Sequence, residues 1–579
     1  MSTVLTKYFR YVLPFDCVDE RRLWQNDEAV TKTILLNADL TPLGDRASLV
    51  IIEEGRFSGV LDMQDRHQVS TLGARVVDAG GRTVLPGIDD SHLHAYSYGR
   101  SLTANSFRGA ASLEEFQERL RVARPEKNGW IRGVGWDDST IHGTGPRGTI
   151  CAADLDVIES DRPAILGDVT GHQAVCNSAA LRAASVSSQT PDPPGGSFVR
   201  DEHGAPTGLV YEAAVGVIND AIPPLSIEEQ RSAILAAQRS LLSQGITAFT
   251  DPGLGPGART LMDGTGDLHA VRAYQQLDRE GLLRSRVNLM LLFGGLGGTR
   301  AADVAAGLDE WGAPRRGGPF TNLDIAQVKV FADGIPRSRT AWLSEPYDDC
   351  TCGHLQVAGE SDDERVAELH AIVRAAATRG WQVGAHSIGD RTITAYLDAV
   401  EQSGAWHGLR HYVIHGDLVD RDALRRMALL GMPLNTNPSI RWMVGRAVSP
   451  ILGDERNVRR QPLRTVLDEG VKLATSSDAP VMDPDWRMIV ASAMTRALRT
   501  DPDYVDGQRI DAREALMSIT AAGAWQSHAE SWRGAILPGL SADFVMLDRA
   551  ADWRDPWSLT GAQVAATVVD GELVYGDYS

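Results

Sequence analysis
The sequence predicts an α/β protein: a (β/α)8 TIM-like barrel, with a small β-sandwich domain built from both termini and a subdomain inserted after the first barrel strand. Three observations predict it. Short β-like runs alternate with helix-like segments from residue 244 onward. Candidate metal-ligating side chains recur at the ends of such runs, starting with His92-Leu93-His94. The two flanks of the chain read instead as short strands broken by Gly and Asp.

Taken in order, residues 1–84 are the N-terminal part of the β-sandwich, with strand-like Thr33 to Leu36 and Ser48 to Ile52. The barrel covers residues 85–530, and its first strand is the run from Thr83 to Ser91 that ends in the His-Leu-His triplet. Residues of about 105–225 are too long for a plain connection and are expected to form the inserted subdomain. Seven further strand-like runs follow: Gly245 to Asp251, Val287 to Phe293, Asp324 to Phe331, Trp381 to Ala385, His411 to His415, Met432 to Asn435 and Val471 to Ser476. Between them Asp362 to Arg379, Asp390 to Gln402 and Asp420 to Leu430 carry apolar residues at three- and four-residue intervals, and the leading Asp of each is a favoured N-cap. Residues 531–579 return to the sandwich, ending in the strand-like Ala566 to Tyr575.

Composition narrows the class. A chain of 579 residues with 43% hydrophobic and 23% charged content is that of an ordinary globular enzyme. Its net charge of −19 argues against a nucleic-acid partner, which demands a basic surface. No run approaches the roughly 18 apolar residues of a membrane span, and the start of the chain lacks the apolar stretch of a signal peptide. Five scattered cysteines do not suggest a disulfide framework, so a cytoplasmic location is expected. Cys350-Thr351-Cys352-Gly353-His354 lies in a polar loop without a second ligand pair and is read as structural or incidental.

The chemistry is carried by strand ends. Side chains two apart on a strand share a face, so His92 and His94 are expected to grip one ion from a single strand. Lys329 alternates within the apolar run from Ile325 to Phe331, where an ammonium is unfavourable unless neutralised or paired. His386 closes Val383-Gly384-Ala385, His415 closes Tyr412-Val413-Ile414, and Asp478 follows Leu473 to Ser477. Such groups on successive strand ends of one barrel point to a metal-dependent hydrolase.

The motifs resemble those of the amidohydrolase superfamily, and most of all the branch that includes N-substituted formamide deformylase. The likeness spans Leu85-Pro86-Gly87, Gly135-Trp136-Asp137 and Gly171-His172-Gln173-Ala174-Val175-Cys176-Asn177-Ser178. It continues through Lys329-Val330-Phe331-Ala332-Asp333-Gly334, Ser338-Arg339-Thr340-Ala341, His386-Ser387-Ile388-Gly389-Asp390-Arg391, Ser477-Asp478-Ala479-Pro480 and Gly534 to Asp543. The resemblance implies that His92, His94, His386, His415 and Asp478 bind zinc, one or two ions, and that Lys329 is a carboxylated lysine bridging two of them. Departures are Ile414, where the branch often has an acidic residue, and Gly334-Ile335-Pro336-Arg337, where it has small residues.

The implied reaction is hydrolysis of the C–N bond of a small N-substituted amide, most specifically a formamide to formate and a primary amine. Asp478 is the candidate proton shuttle, and His172 either stabilises the oxyanion or is a structural loop histidine. Trp136, Trp342, Trp442 and Met443 are candidate walls of a substrate pocket. Arg337 and Arg339 either bind a substrate carboxylate or pair with neighbouring Asp residues. Hydrolysis of other amides or cyclic amides and imides, or deamination, is the alternative. Deamination is disfavoured because Gly416-Asp417-Leu418 follows His415 and Lys329 is present. A catalytically dead scaffold is disfavoured by the complete ligand set. Assembly as a homo-oligomer is left open by the sequence.

Overall fold
The computed structural model describes residues 32–578 apart from 45–47, 139, 170, 261–265, 296–297 and 320. Eight parallel strands follow chain order around one sheet: β1 (Ile88–Asp90), β2 (Ile246–Leu254), β3 (Arg286–Leu291), β4 (Leu323–Phe331), β5 (Gln382–Ser387), β6 (Tyr412–His415), β7 (Leu434–Thr436) and β8 (Leu473–Thr475). Hydrogen bonds across the seam tie the end of β8 to that of β1. Ser477 N donates to Asp90 Oδ1 at 3.1 Å, Asp478 N to the His92 carbonyl at 3.0 Å, and His94 N to the Ala479 carbonyl at 2.8 Å. The barrel expectation holds, with the ends of the seven later strands shifted by no more than three residues.

Alternation along each strand separates two environments. Outward-facing Val328 and Val330 join the large apolar layer against the surrounding helices, with Ile372, Tyr396 and Leu424. Inward-facing Gln327 and Lys329 line the interior, where Tyr412 Oη donates to Gln327 Oε1 at 2.9 Å. The flanking helices are Asp362–Ala377, Asp390–Ser403 and Arg421–Leu430. Only the last is capped by Asp, as Asp420 accepts from Ala423 N. The first is closed by a Ser361/Glu364 capping box, and Asp390 instead holds Ser344, whose backbone N–H it accepts at 3.0 Å. One-residue offsets of this kind have no periodic signature.

The termini meet in a two-sheet sandwich. Lys32–Ala38, Ser48–Glu53, Arg56–Asp62 and Arg75–Asp78 form one sheet; Val84–Pro86, Phe544–Leu547, Val564–Val569 and Glu572–Gly576 form the other. Leu35, Val50 and Phe57 of the first pack on Val84, Phe544 and Val568 of the second. The run read as one barrel strand is thus divided. Val84–Pro86 pairs with Phe544–Leu547 in the sandwich, and the barrel begins at Ile88. Gly87 is the corner, and a Cβ there would lie 2.1 Å from Thr247 Oγ1 on β2.

Between β1 and β2 stands the inserted domain, a six-stranded sheet running from Asn105 to Glu212 with helices on both faces. Phe107, Trp136 and Leu166 fill one face, and Trp130, Phe198 and Val210 the other. Among the described residues no helix is long and apolar enough to cross a membrane.

Candidate metal centre
Six of the candidate ligands converge at the C-terminal mouth of the barrel. His92 and His94 lie just past β1 rather than within it, and His94 is the N-cap of helix Ala95–Thr103. Strand pleat therefore does not orient them, and their rings stand edge to face at 81° with centroids 5.6 Å apart. The seam hydrogen bonds hold them instead. Each offers Nε2 at 3.5 Å from Asp478 Oδ1, so that the three side chains form one buried group of potential ligands. His415, the last residue of β6, and Asp478, past β8, both have positive φ, 69° and 59°. Left-handed backbone at non-glycine residues costs about 1–3 kcal/mol and persists where the surroundings enforce it, commonly at functional sites.

The His415 ring lies 5.5 Å from that of His92 and 4.5 Å from that of His386 on β5. Lys329 is 1% exposed and points into the same space, its Nζ 4.7 Å from the Phe331 ring centre. Burial and then the Lys329 charge lower the pKa of His94 to about 3 and hold His92 and His386 well below the usual range. For His415 burial and His386 precede Lys329 as causes. Burial also pulls the Lys329 ammonium down and pushes the Asp478 carboxyl up, each partly offset by the other's charge. Neutral imidazoles are the ligand form.

The donor set fits a metal ion. Both ring nitrogens of the fully buried His92 lack a hydrogen-bond partner among the described residues. A buried polar group is ordinarily paired, and one left so is best matched to a ligand of another kind. Two other histidines are braced on the side away from the cluster. His386 Nδ1 lies 3.2 Å from Asp333 Oδ1 and His415 Nδ1 lies 2.6 Å from Asn437 Oδ1. Such contacts fix the tautomer and free Nε2 for a metal. Asp333 also accepts from Ile388 N and Gly389 N at 3.0 and 2.8 Å, so it sets the turn after β5. Neither partner emerges from ligand spacing. Asp333 lies in the run Lys329 to Gly334 that carries the family resemblance, and Asn437 is marked in the sequence by its place just past a strand end.

His172 arrives from the inserted domain, its Nδ1 2.9 Å from Glu212 Oε2. Burial would lower its pKa, but the Glu212 carboxylate outweighs that and raises it to about 9. The remaining candidates are placed elsewhere or are engaged. Trp136 is buried in the inserted domain with its indole N–H on the Leu166 carbonyl at 2.8 Å, so it walls no pocket. Trp342 is buried beneath the Arg391 guanidinium, 4.1 Å from its ring. Trp442 packs near Trp557 at 5.6 Å between ring centres, and Met443 is partly exposed. Arg337 pairs with Asp138, and Arg339 with Asp348 at 2.8 Å and Asp349 at 3.3 Å. Both arginines thus take the pairing left open by the sequence. Cys350 and Cys352 are free thiols outside the ligand group.

Known proteins align with this chain over nearly its whole length. It is 29% identical over 546 residues to YtcJ of Bacillus subtilis (strain 168), covering 92% of this chain and 96% of that protein. It is 27% identical over 566 residues to N-substituted formamide deformylase of Arthrobacter pascens, covering 94% and 98%. The crystal structure of an uncharacterized metal-dependent hydrolase from Pyrococcus furiosus superposes with a TM-score of 0.69 at 28% identity, covering 90% of this chain and 99% of that one. The model of the amidohydrolase family matches residues 75–575. With barrel, sandwich and convergent ligand residues in agreement with that match, the chain belongs to the amidohydrolase family.

Proposed function
We propose that this protein hydrolyses the C–N bond of a small N-substituted amide, with an N-substituted formamide as the specific substrate. The observation that carries the reading is the buried, unpartnered His92 ring facing Asp478 among three further neutral histidines. His92, His94, His386, His415 and Asp478 would hold one or two zinc ions, with Lys329, carboxylated, as the bridging group. Bound zinc would supply a water of lowered pKa and a positive charge that polarises the carbonyl. Asp478 accepts the proton of the attacking water and returns it to the amine nitrogen, which leaves poorly until protonated. His172 donates toward the carbonyl oxygen as negative charge develops there. The likeness to the Arthrobacter pascens deformylase supports the formamide, and family membership supports amide hydrolysis more widely. Deamination using a base next to His415 finds no support, because Asp417 is engaged by Arg460 at 2.8 and 2.5 Å and by Gln461 at 2.8 Å.

The test is metal content per chain after chelator-free purification, with amine release from N-benzyl and N-alkyl formamides and acetamides. One or two zinc ions with formamide turnover are expected. Metal without formamide turnover overturns the substrate but not the hydrolase site, and no metal with no rescue by zinc overturns both. Asp478→Asn is expected to lower turnover at least a hundredfold. Full turnover by that variant with metal bound would remove the shuttle role.

A further inference from the structure
The brace on His386 is a carboxylate, whereas the Asn437 amide that meets His415 is uncharged and is itself held by a series of buried side chains. Asn437 Nδ2 donates to the Ser476 carbonyl and to Ser476 Oγ, both at 3.1 Å. Ser476 Oγ donates to Asn435 Oδ1 at 2.6 Å. Asn435 Nδ2 donates to Ser91 Oγ at 2.9 Å, to Gln526 Oε1 at 3.0 Å and to the Ser91 carbonyl at 3.2 Å. Gln526 Nε2 ends the series on that same carbonyl at 3.2 Å. Asn435 lies within β7, Asn437 just past it, Ser476 just past β8 and Ser91 just past β1, while Gln526 closes helix Ala521–Gln526. The series thus runs from His415 to the residue before His92, and Asn435, Ser476 and Gln526 are fully buried.

Three backbone contacts fix its direction. A carbonyl oxygen only accepts, so the end of the Asn437 amide that faces the Ser476 carbonyl is its NH2. By the same rule the NH2 ends of Asn435 and Gln526 face the Ser91 carbonyl. The Asn435 oxygen is then left for Ser476 Oγ, which gives its one proton there and accepts from Asn437. The Asn437 oxygen is left for His415 Nδ1 at 2.6 Å, a hydrogen bond that forms only when Nδ1 carries the proton. Every donor therefore points away from His415, and hydrogen bonds of one sense polarise one another in a protein interior. A neutral imidazole held in this way keeps its lone pair on Nε2, the form in which it can bind a metal.

We propose that Ser476, directed by Asn435 and Gln526, is a positioning residue that pins the Asn437 amide and so locks His415 in its Nδ1–H tautomer, with Nε2 as the lone-pair donor for the metal. This rests on the metal-dependent hydrolase reading. Ser476 touches no candidate ligand in this series and acts through Asn437. Being uncharged throughout, the series orders the ring without adding a carboxylate to the site. It also couples the end of β6 to those of β7, β8 and β1, the last of which leads into His92.

The experiment measures zinc affinity of the full chain by competition with a chromophoric chelator, in the wild type, Ser476→Ala, Ser476→Thr, Asn437→Leu and the double variant Ser476→Ala/Asn437→Leu. The His415 tautomer is read in parallel from nitrogen spectra of the metal-free, 15N-histidine-labelled chain, with its signals assigned by their loss in His415→Gln. The wild type is expected to hold the proton on Nδ1. Asn437→Leu is expected to weaken zinc 10- to 100-fold, as loss of a group bracing a ligand typically does, and Ser476→Ala severalfold. Ser476→Thr keeps the hydroxyl and is expected to restore zinc affinity. In the Asn437→Leu background Ser476→Ala is expected to cost nothing further, because its route to His415 is already cut. A merely structural hydroxyl would lower the melting temperature and leave zinc affinity alone. A wild-type His415 protonated on Nε2, wild-type zinc affinity in Ser476→Ala, or additive losses in the double variant overturns the proposal. Should Ser476→Ala not fold, Ser476→Cys, whose thiol is a weak donor, takes its place. If the wild type binds no zinc, the tautomer decides. An Nδ1–H ring that gains the Nε2–H form in Ser476→Ala would sustain the lock and fail the metal-dependent reading instead, and a tautomer unchanged in Ser476→Ala would fail both.

Discussion
At His386 one hydrogen bond selects which ring nitrogen is available. Asp333 takes Nδ1–H and, through Ile388 N and Gly389 N, also fixes the turn that carries the ring. Bracing groups of this kind typically contribute 10- to 100-fold in metal affinity. Asp333→Ala is therefore expected to weaken zinc by that factor in competition with a chromophoric chelator, and Asp333→Asn, which keeps an acceptor oxygen, by less. Equal zinc affinity in wild type and Asp333→Ala would show that the ring needs no such support. The residue types of the candidate ligands were legible because imidazole, carboxylate and amine at strand ends are chemically conspicuous. Asp333, Asn437 and Glu212 were not, because an acid or amide bracing another side chain has no spacing of its own.

Elements are joined by contacts as specific as those of the site. His411, just before β6, accepts Val383 N of β5 on Nδ1 at 2.9 Å, and its Nε2 is buried without a partner among the described residues. Burial lowers its pKa to about 3, against about 6.5 in an unfolded chain. Between these values the unfolded state binds the extra proton, so stability falls as pH drops from about 6.5 toward 3. This single group is expected to remove about 2 kcal/mol between pH 7.5 and pH 5. Urea unfolding of the wild type and His411→Gln at both pH values checks it, since the variant should lose that much less on acidification. At the corner between sandwich and barrel, Gly87→Ala would drive a Cβ into Thr247. Overpacking of this kind costs about 1–3 kcal/mol, and a melting temperature unchanged by Gly87→Ala would show that β2 yields there. The strand series was readable from alternation and run length, whereas the break at Gly87 was not, because Val84 to Asp90 is continuously buried and reads as a single run.

For the whole molecule, the candidate ligands lie on or just past β1, β4, β5, β6 and β8, so that on the proposed reading a bound ion would act as a staple across the barrel mouth. An ion held only by the folded state, at a thousandfold excess over its Kd, stabilises by about 4 kcal/mol. Chelation is thus expected to lower the melting temperature and abolish turnover together, and added zinc to restore both; a melting curve indifferent to chelator would mean the ion does not bridge these strands. The amino-acid sequence by itself determined the strand and helix order, the existence of an inserted domain, the β-rich flanks and the residue types of the candidate ligands. Each of these is written in local periodicity, run length or side-chain chemistry. Tertiary structure alone decided how His92 and His94 face Asp478, how Asp333 braces the His386 ring and Asn437 the His415 ring, and which acids Arg337 and Arg339 meet. It also brought Glu212 against His172 across 40 residues of chain. The physical reason is that these pairings lie between residues far apart in the chain, and their geometry is set by strand register and domain docking, which no local pattern encodes.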